Sequence, residues 1–373
     1  MKKILIFIDW YVPAYKAGGP IRSVYNLVET LSNVYDFHII TSTVDRDGKE
    51  LENVVFNQWT KQGKASVLYL SKEEITQSRF KEEYRNLNPN RIYLNSLFSA
   101  QFTLLPLYLF RKKAKVVVAP RGMLGKESLA IKPLKKKIFI TLSKVFGFYK
   151  SVRWHATSPQ ELVEIQTVFG NQLESRTAIN LALIPEKVTL LKKKKTELSL
   201  IMVGRIVPIK NIIFFLNVLT KVSTECQLNV TLVGPIEDEE YWKKCSDLIK
   251  GLPNNISIET TGAIPPVEVS KLFLTHQVLV STSLNENYGH SIAEALSFGR
   301  PSIVSNNTPW KNLSKLSIGD NLDLEMDLFK ASIERFAFLD NEAFLTIQKR
   351  VRAYAVKELV SEEDKINAIK VFE

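Results

Sequence analysis

The stretch LSLIMV (residues 198–203) is followed by GRIVPIK (204–210) and NIIFFLNVLTKV (211–222). The first segment is a short apolar run typical of a buried strand, and the third has the length and apolar spacing of a helix. Gly204 and Pro208 mark the turn between them. A strand that leads through a tight turn into a helix is the building unit of a parallel α/β sheet.

The same alternation of apolar strand and helix patterns runs along most of the chain. Strands are predicted at 3–8, 37–42, 66–70, 91–95, 115–119, 152–156, 198–203, 227–233, 256–259, 278–281 and 302–305. Helices are predicted at 20–31, 97–112, 133–146, 159–169, 211–222, 239–250, 266–274, 291–298, 325–338, 341–358 and 361–372. No strand is predicted beyond Asn306. This order predicts two doubly wound, Rossmann-like domains with parallel sheets, followed by C-terminal helices.

The join between the two domains is predicted near residues 179–196, where Pro185 and the run Lys192–Lys195 interrupt the pattern. We therefore expect an N-terminal domain at 1–180 and a C-terminal domain at 181–357. The last helix, about 358–373, is expected to pack back on the first domain.

Composition excludes several classes of protein. The chain has 373 residues, 45% of them hydrophobic and 24% charged, which is ordinary for a globular protein with two cores. Its two cysteines, Cys226 and Cys245, support neither a disulfide framework nor a zinc knuckle. The longest apolar region, 97–110, is too short and too interrupted to span a membrane. We expect a cytoplasmic protein of enzyme size.

The net charge of +11 lies in the first half of the chain. Residues 1–175 hold 26 basic and 15 acidic residues, whereas residues 176–373 hold 24 of each. Residues 111–153, the basic segment, hold 13 basic residues against one acid, Glu127. Within it, Ile138, Leu142, Val145, Phe146 and Tyr149 form an apolar stripe among lysines.

Two interpretations of this stripe stay open. A basic amphipathic helix with aromatic residues is typical of proteins that bind an anionic membrane surface. The alternative is a helix that packs its apolar stripe on its own sheet and exposes its lysines to water. No recognised nucleic-acid-binding motif accompanies the basic segment, so we expect no nucleic-acid partner.

Several common sites are absent from the sequence. No two glycines are spaced G-x-G and no G-x-x-x-x-G-K occurs, which argues against dinucleotide and P-loop sites. The four histidines fit no metal-ligand spacing, and His155 is a candidate residue of a ligand cleft. Asp45-Arg46-Asp47 matches a bare D-x-D pattern, but its Asp-Gly surroundings favour a turn. No metal or other cofactor is expected.

Two glycine-containing turns follow predicted strands and are candidate phosphate sites. Gly18 and Gly19 open a helix, whose N-terminal N–H groups attract anions, although a plain turn explains them equally well. Arg205 and Lys210 follow the strand 198–203, where a planar guanidinium and a mobile ammonium can hold a diphosphate from two sides. The alternative is a pair of solvated cations.

The strongest pattern is ENYGHSIAE at residues 286–294. It follows the strand 278–281 and leads into a helix predicted to begin at Ser291. Backbone N–H groups from Gly289 to Ser291 would suit an anionic leaving group. A capping box of Ser291 and Glu294 is the structural alternative, but it leaves Glu286 and Gly289 unexplained.

Together these motifs resemble the GT-B glycosyltransferases, particularly the retaining family 4 (group 1) enzymes. The matching runs are AGGPIRSV (17–24), GRIVPIK (204–210) and the E-x7-E segment 286–294. Three further runs, PRGML (120–124), HATS (155–158) and SNNTPW (305–310), are similar to a bacterial exopolysaccharide and lipopolysaccharide-type subgroup. The resemblance implies two domains that face a central cleft.

The resemblance also implies roles for individual residues. Arg205 and Lys210 would hold the diphosphate of a nucleotide-sugar, Glu286 would contact the sugar and Glu294 the ribose. Further donor contacts would come from Gly18, Gly19, Arg121, Asn287, Tyr288, Gly289, His290 and Ser291. Arg121 stands where many members carry a histidine, so it would act as a donor or acceptor contact. Such enzymes generally retain the anomeric configuration and need no metal.

The resulting expectation is a glycosyltransferase of cell-surface polysaccharide biosynthesis, peripheral at the inner face of the cytoplasmic membrane. Its acceptor would be a glycolipid or an oligosaccharide, and its basic segment 111–153 would meet an anionic membrane. Two alternatives stay open: a sugar-nucleotide epimerase of the same architecture, and a non-catalytic basic protein that binds membrane or RNA.

Overall fold

The structure, a computed structural model, describes residues 1–130 and 133–373, without the side chains of Lys126 and Glu127. The chain divides into two compact units. Unit 1 comprises Met1–Leu181 and Ser361–Glu373, and unit 2 comprises Ala182–Val360.

Unit 1 is built on an eight-stranded sheet. Its strands are β1 (Lys2–Phe7), β2 (Tyr35–Ser42), β3 (Trp59–Gln62), β4 (Ala65–Leu70), β5 (Arg91–Leu94), β6 (Val116–Val118), β7 (Val152–Ala156) and β8 (Ser175–Thr177). Their order is β3-β4-β2-β1-β5-β6-β7-β8. The central strand β1 buries Ile4 to Phe7 completely, as a strand covered on both faces must.

One edge of this sheet differs from the purely parallel arrangement that the sequence predicts. β3 pairs antiparallel with β4, whereas all other neighbours in the sheet are parallel. The two strands are joined by Gly63 and Lys64 alone, and so short a loop can connect only antiparallel strands. Gly63 takes the left-handed φ of +57° that this hairpin needs.

Helices cover this sheet. They are α1 (Gly19–Leu31), α2 (Gln77–Leu87), α3 (Leu105–Phe110), α4 (Lys126–Ala130), α5 (Pro133–Val145) and α6 (Pro159–Phe169). The predicted helix 97–112 is instead a π-helical turn, Ala100–Leu104, followed by α3. Pro106 has no N–H for the regular helical ladder, so a new helix begins at its first turn.

Unit 2 is built on a six-stranded, wholly parallel sheet. Its strands are β9 (Glu197–Val203), β10 (Gln227–Val233), β11 (Ile256–Gly262), β12 (Val278–Ser281), β13 (Ser302–Ser305) and β14 (Gly319–Leu322), in the order β11-β10-β9-β12-β13-β14. The prediction that strands end at Asn306 is therefore wrong. β14 has the sequence GDNL, an edge strand with no apolar run, and it pairs with β13 from Gly319 to Leu322.

The helices of unit 2 are α7 (Ile212–Leu219), α8 (Glu239–Lys250), α9 (Pro266–Leu272), α10 (His290–Ser297), α11 (Leu313–Leu316), α12 (Met326–Phe338) and α13 (Asn341–Lys357). A 3-10 turn, Pro208–Lys210, precedes α7. The chain then returns to unit 1 as α14 (Glu362–Lys370).

α14 and the residues just after it are held on unit 1 by hydrogen bonds to their backbone carbonyls. Arg91 Nε donates to the Phe372 carbonyl at 2.9 Å, and Arg153 Nη1 donates to the Val371 carbonyl at 3.1 Å. The Tyr35 hydroxyl donates to the Ile369 carbonyl at 3.0 Å. Cations and donors at a helix C-terminus satisfy carbonyls that have no partner within the helix.

Strand order reverses at one place in each sheet. In unit 1, β2 lies on one side of β1, and the chain returns from β4 to place β5 on the other side. In unit 2, β10 lies on one side of β9, and the chain returns from β11 to place β12 on the other side. Ligands of doubly wound sheets bind beyond the carboxyl ends of the strands at such a point. The turns after β9 and β12 are therefore the first places to look for a site.

Candidate functional site

The turn after β9 places Arg205 and Lys210 at the carboxyl edge of the unit 2 sheet. Gly204 N–H donates to the Val233 carbonyl at 2.8 Å, which ties the turn to β10. The 3-10 turn brings Lys210 back, so that its Cε lies 3.2 Å from the position a Cβ on Gly204 would take. At Gly234 a Cβ would lie 2.0 Å from the Gly204 carbonyl oxygen. Both glycines allow this close approach of backbone and side chain.

Lys210 and Glu286 form an ion pair at the centre of this edge. Lys210 Nζ lies 2.5 Å from Glu286 Oε2, and each side chain is 20% exposed. The Thr282 hydroxyl donates to the carbonyls of Lys210 and Asn211, and Leu284 N–H donates to the Ile209 carbonyl at 2.8 Å. These bonds bring together two predicted residues that are far apart in sequence.

Arg205 is paired with a carboxylate that the sequence analysis missed. Arg205 Nη1 lies 2.9 Å from Glu237 Oε2. Ile206 N–H donates to the Pro235 carbonyl at 2.8 Å, so the turns after β9 and β10 lie side by side. The available signal was position: Glu237 follows a predicted strand next to β9 in a doubly wound sheet.

The segment after β12 differs locally from the prediction. α10 begins at His290, and its N-cap is Gly289, which makes no side-chain capping bond. The capping-box interpretation is therefore wrong, because Ser291 lies inside the first helical turn. Ser291 and Glu294 are instead partly exposed on α10, at the helix end where the positive pole of its dipole lies.

Gly289 has no room for a side chain. Its φ is +79°, and a Cβ there would lie 2.9 Å from Ile292 Cδ1 and 3.3 Å from Glu286 Cγ. Trp310 Nε1 donates to the Tyr288 carbonyl at 2.7 Å and fixes this backbone. Trp310 belongs to a run that the sequence analysis used only for resemblance, so its positioning contact was missed.

The remaining predicted residues of this segment lie beside it. Asn287 is partly exposed in the loop, and His290 is partly exposed at the start of α10. Tyr288 is buried, with its ring 4.9 Å from that of His290 and 5.7 Å from that of Trp310. Seven predicted residues, Glu286 to Ser291 and Glu294, thus lie on one loop and helix end.

In unit 1, Gly18 and Gly19 begin α1. Gly18 is the N-cap, with a φ of +67°, and its carbonyl accepts from Ile21 N–H at 3.1 Å. No atom of the described residues lies within 4 Å of the position a Cβ on Gly18 would take. The conformation, not crowding, therefore requires glycine at this position.

Arg121 is engaged by neighbouring side chains of unit 1. Its Nε donates to Asn95 Oδ1 at 2.7 Å, its Nη2 donates to the Tyr93 hydroxyl at 2.7 Å, and its Nη1 donates to Asn180 Oδ1. Asn95 Nδ2 in turn donates to the Pro20 carbonyl of α1. The guanidinium thus links the ends of β5 and β6 to the segment after β8.

His155 belongs to the same network and is buried. Its Nε2 donates to the Ala178 carbonyl at 2.9 Å, so Nδ1 accepts from the Tyr93 hydroxyl at 2.8 Å. Burial, with the nearby Arg121 charge, lowers the pKa of His155 to about 3. The interpretation of His155 as ligand-facing is wrong, because the ring is enclosed and both its nitrogens are engaged.

Asp45 and Asp47 form a turn, as their surroundings indicated. Asp45 Oδ2 accepts from the N–H groups of Tyr15 and Lys16, and Asp47 pairs with Lys16 Nζ at 2.5 Å. No group of three potential metal ligands among His, Cys, Asp and Glu is found in residues 1–130 and 133–373.

Part of the chain matches a protein family, and the whole chain is similar to solved structures. Residues 185–313, which include all the unit 2 residues named above from Gly204 to Trp310, match the family described as Glycosyl transferases group 1. No curated protein matches the chain significantly. Among solved structures it is similar to HepE from Anabaena in complex with UDP and glucose, at 14% identity and a TM-score of 0.67. That match covers 100% of this chain and 97% of HepE.

Two further structures agree. Sucrose-phosphate synthase from Thermosynechococcus elongatus is 16% identical, with a TM-score of 0.70 over 99% of this chain and 97% of that one. WaaG, a glycosyltransferase involved in lipopolysaccharide biosynthesis, is 12% identical, with a TM-score of 0.65 over 98% and 99%. The chain has the GT-B fold. The group 1 domain and this fold together support a GT-B glycosyltransferase.

Proposed function

We propose that this GT-B protein is a retaining, hexosyltransferase-type enzyme of family 4 and of the exopolysaccharide and lipopolysaccharide subgroup. It transfers a sugar from a nucleotide-diphospho-sugar to a glycolipid or a polysaccharide precursor. The observation that carries the proposal is the placement of Arg205 and the Lys210–Glu286 pair beside the N-terminus of α10, at the switch point of the unit 2 sheet.

Arg205 and Lys210 bind the diphosphate. An Arg–phosphate contact is charge-assisted and bidentate, and the ammonium of Lys210 has three donors, so it keeps Glu286 while it reaches a phosphate oxygen. The N-terminus of α10 adds N–H groups and a positive pole on the same edge. These charges stabilise the departing nucleoside diphosphate and take the place of a metal ion.

Glu286 and Glu294 recognise hydroxyl groups. A carboxylate accepts two hydrogen bonds, which suits the neighbouring hydroxyls of a sugar at Glu286 and of the ribose at Glu294. The Lys210 contact fixes the Glu286 carboxylate and keeps it from acting as a free nucleophile. Asn287 to Ser291 offer backbone groups to the sugar and phosphate, on a loop that Trp310 holds.

Retention follows from attack on the face that the phosphate leaves. The acceptor hydroxyl oxygen bonds to the anomeric carbon as the carbon–phosphate oxygen bond breaks, and a phosphate oxygen takes the hydroxyl proton. The products are a glycoside of unchanged anomeric configuration and a nucleoside diphosphate. Arg205 and Lys210 stabilise the negative charge that develops on the phosphate.

The acceptor and the place of action belong to the same proposal. HepE was solved with UDP and glucose, and WaaG is involved in lipopolysaccharide biosynthesis, which supports a nucleotide-sugar and a surface-glycan acceptor here. We place the enzyme on the cytoplasmic side of the membrane. Among the helices of residues 1–130 and 133–373, none has the length and apolar character of a membrane span. Gly18, Gly19 and Arg121 remain predicted donor contacts.

The test begins with a thermal-shift screen of nucleotide-sugars, followed by donor hydrolysis and transfer assays with and without EDTA. We expect Lys210→Ala to lower kcat by about 10²–10³-fold, as loss of a group that stabilises transition-state charge does. Glu294→Ala should raise KM, whereas Lys250→Ala, which removes an exposed lysine of α8, should change neither. NMR of the glycoside reports its anomeric configuration.

Three results would contradict the proposal. Undiminished turnover in both site variants would exclude the site. Inversion of the configuration at one carbon of the donor sugar, without release of the nucleotide, would indicate an epimerase. RNA binding with no nucleotide-sugar response would indicate the non-catalytic alternative.

A further inference from the structure

Helix α5 exposes a row of apolar side chains to solvent. Leu134, Ile138, Leu142 and Val145 are each between 49% and 73% exposed. At about 100° of rotation per residue, these four positions fall within an arc of about 80° on the helix. We call them the α5 stripe. Phe146, just beyond the helix, is 71% exposed.

The α5 stripe lies on the side of the helix that faces away from the rest of unit 1. The opposite face of α5 carries Phe139 and Ile140, which pack against the core of unit 1, and the buried Ser143. Lys136 also lies on that side, where its ammonium lies 5.3 Å from the centre of the Phe98 ring. The expectation that the whole stripe packs on its own sheet is therefore wrong for these positions. Of the five residues in the stripe predicted from the sequence, all of them described in the structure, only Tyr149, which lies beyond the helix, is buried.

Lysines flank the stripe on both sides. Lys137 and Lys144 lie along one margin of the stripe and Lys135 along the other, and all three are exposed. Residues 133–150 hold five lysines and no acidic residue. Part of the basic segment, Ile131 and Lys132, lies outside the described residues.

We propose that the α5 stripe inserts into the boundary between headgroups and acyl chains of an anionic lipid bilayer, with its flanking lysines on the headgroups. An apolar strip bordered by cations is the arrangement by which interfacial helices bind such membranes. Long lysine stems reach from the margin of the strip to the phosphates. The chemistry recognised is a phosphate-bearing lipid surface.

The lysines that flank the α5 stripe favour an anionic bilayer, rather than a second copy of the chain, as its partner. Two copies that met through the α5 stripe would bring lysines against lysines with no acid on the helix to offset them. An anionic bilayer instead offsets these charges, each basic residue near it adding to the attraction.

The experiment is vesicle flotation of the full chain, without nucleotide-sugar, on phosphatidylcholine vesicles with and without phosphatidylglycerol. The variant Ile138→Glu with Leu142→Glu places two charges in the stripe. The matched control, Val163→Glu with Val356→Glu, makes the same change at exposed valines on α6 and α13. Lys137→Gln with Lys144→Gln removes two flanking charges.

We expect wild type and control to float with the anionic vesicles, and the stripe variant to lose at least tenfold in bound fraction. The lysine variant should bind more weakly, and neutral vesicles should bind little protein. Circular dichroism and a thermal melt check that each variant folds, which the exposure of every substituted position favours.

Three outcomes would overturn the proposal. One is absence of flotation by the folded wild type. A second is flotation that depends on the lysines and on low salt but survives the stripe variant, which would mean adsorption without insertion. A third is a dimer in light scattering that the stripe variant dissociates, which would make this face a protein interface. Donor hydrolysis without vesicles should be equal in all variants. The flotation experiment and the activity assay therefore test the membrane proposal and the proposed function independently.

Discussion

At the scale of single residues, each cation of the unit 2 edge lies against a carboxylate. Lys210 pairs with Glu286 and Arg205 with Glu237. Glu286 was predicted from the sequence as a site residue and Glu237 was not. If a diphosphate binds Arg205 as proposed, it must compete with Glu237 for the guanidinium, so this carboxylate weakens the binding.

Glu237→Gln removes that competitor and keeps the shape of the side chain. Since a partly exposed ion pair contributes about 0.2–1 kcal/mol, we expect nucleoside diphosphate to bind up to about fivefold more tightly at low salt. Isothermal titration calorimetry measures this change, and the gain should shrink at high salt. Glu225→Gln, which removes an equal charge from an exposed position, is the control; weaker binding in Glu237→Gln alone would contradict the interpretation.

His155 makes the stability of unit 1 depend on pH. Burial lowers its pKa to about 3, whereas the unfolded chain has the ordinary value near 6.5. Its contribution is therefore complete above pH 6.5 and is lost as the pH falls towards 3, because only the unfolded state takes up the proton. The Tyr93 hydroxyl donates to the ring, and Arg121, which donates to the same hydroxyl, is the charged group whose field acts on it.

We expect this histidine alone to cost about 1 kcal/mol of stability between pH 7.5 and pH 5.5. Urea unfolding at the two values measures the loss, and His155→Gln keeps a donor and an acceptor but no titrating group. The pH-dependent loss should be smaller in this variant even if its stability is lower at both values. An equal loss in both proteins would exclude His155 as the cause.

At the scale of elements, the strands and helices were predicted from apolar runs and from helical periodicity. Buried strands such as β1 and β9 and helices such as α8 and α12 were predicted to within a few residues, because burial on both faces or on one stripe leaves a strong pattern. β14 lacks that pattern, since an edge strand of four residues needs little apolar surface.

The site was predictable in part for the same reason. Residues after strand ends can be listed from sequence once the sheet is doubly wound, which located Arg205, Lys210 and the segment 286–294. Which carboxylate meets which cation depends on side-chain packing across neighbouring turns. That is why Glu237 and the contact from Trp310 to the Tyr288 carbonyl came only from the structure.

The segment 361–373, which contains α14, contributes a buried ring to the core of unit 1, although the rest of that core is distant in sequence. The ring of Phe372 lies 5.4 Å from those of Tyr35 and Tyr93 and 6.2 Å from that of Phe37, and Phe372 is buried. Phe372→Ala should lower the free energy of unfolding by about 3–5 kcal/mol through lost burial and the cavity.

Urea unfolding followed by fluorescence measures this loss. Ile366→Ala, at an exposed position of α14 in the same returning segment, should change stability by less than about 1 kcal/mol. A loss in Phe372→Ala as small as that expected for Ile366→Ala would mean that residues 361–373 contribute little to the core of unit 1.

At the scale of the whole molecule, the two units divide charge and chemistry between them. The basic excess lies in residues 1–175 of unit 1, where α5 exposes its stripe. Unit 2 carries Arg205, Lys210, Glu286, Glu294 and the N-terminus of α10, which together form the proposed donor site. The proposed membrane surface and the proposed donor site can therefore be altered by separate substitutions.

The return of residues 361–373 to unit 1 has a consequence for synthesis. A ribosome makes residues 1–181 first, yet the carbonyls that accept hydrogen bonds from Arg91 and Arg153, and the ring of Phe372 beside Tyr93, come from residues 361–373. Unit 2, formed by the uninterrupted residues 182–360, is complete earlier. The unit that is made first is thus the last to acquire all of its residues.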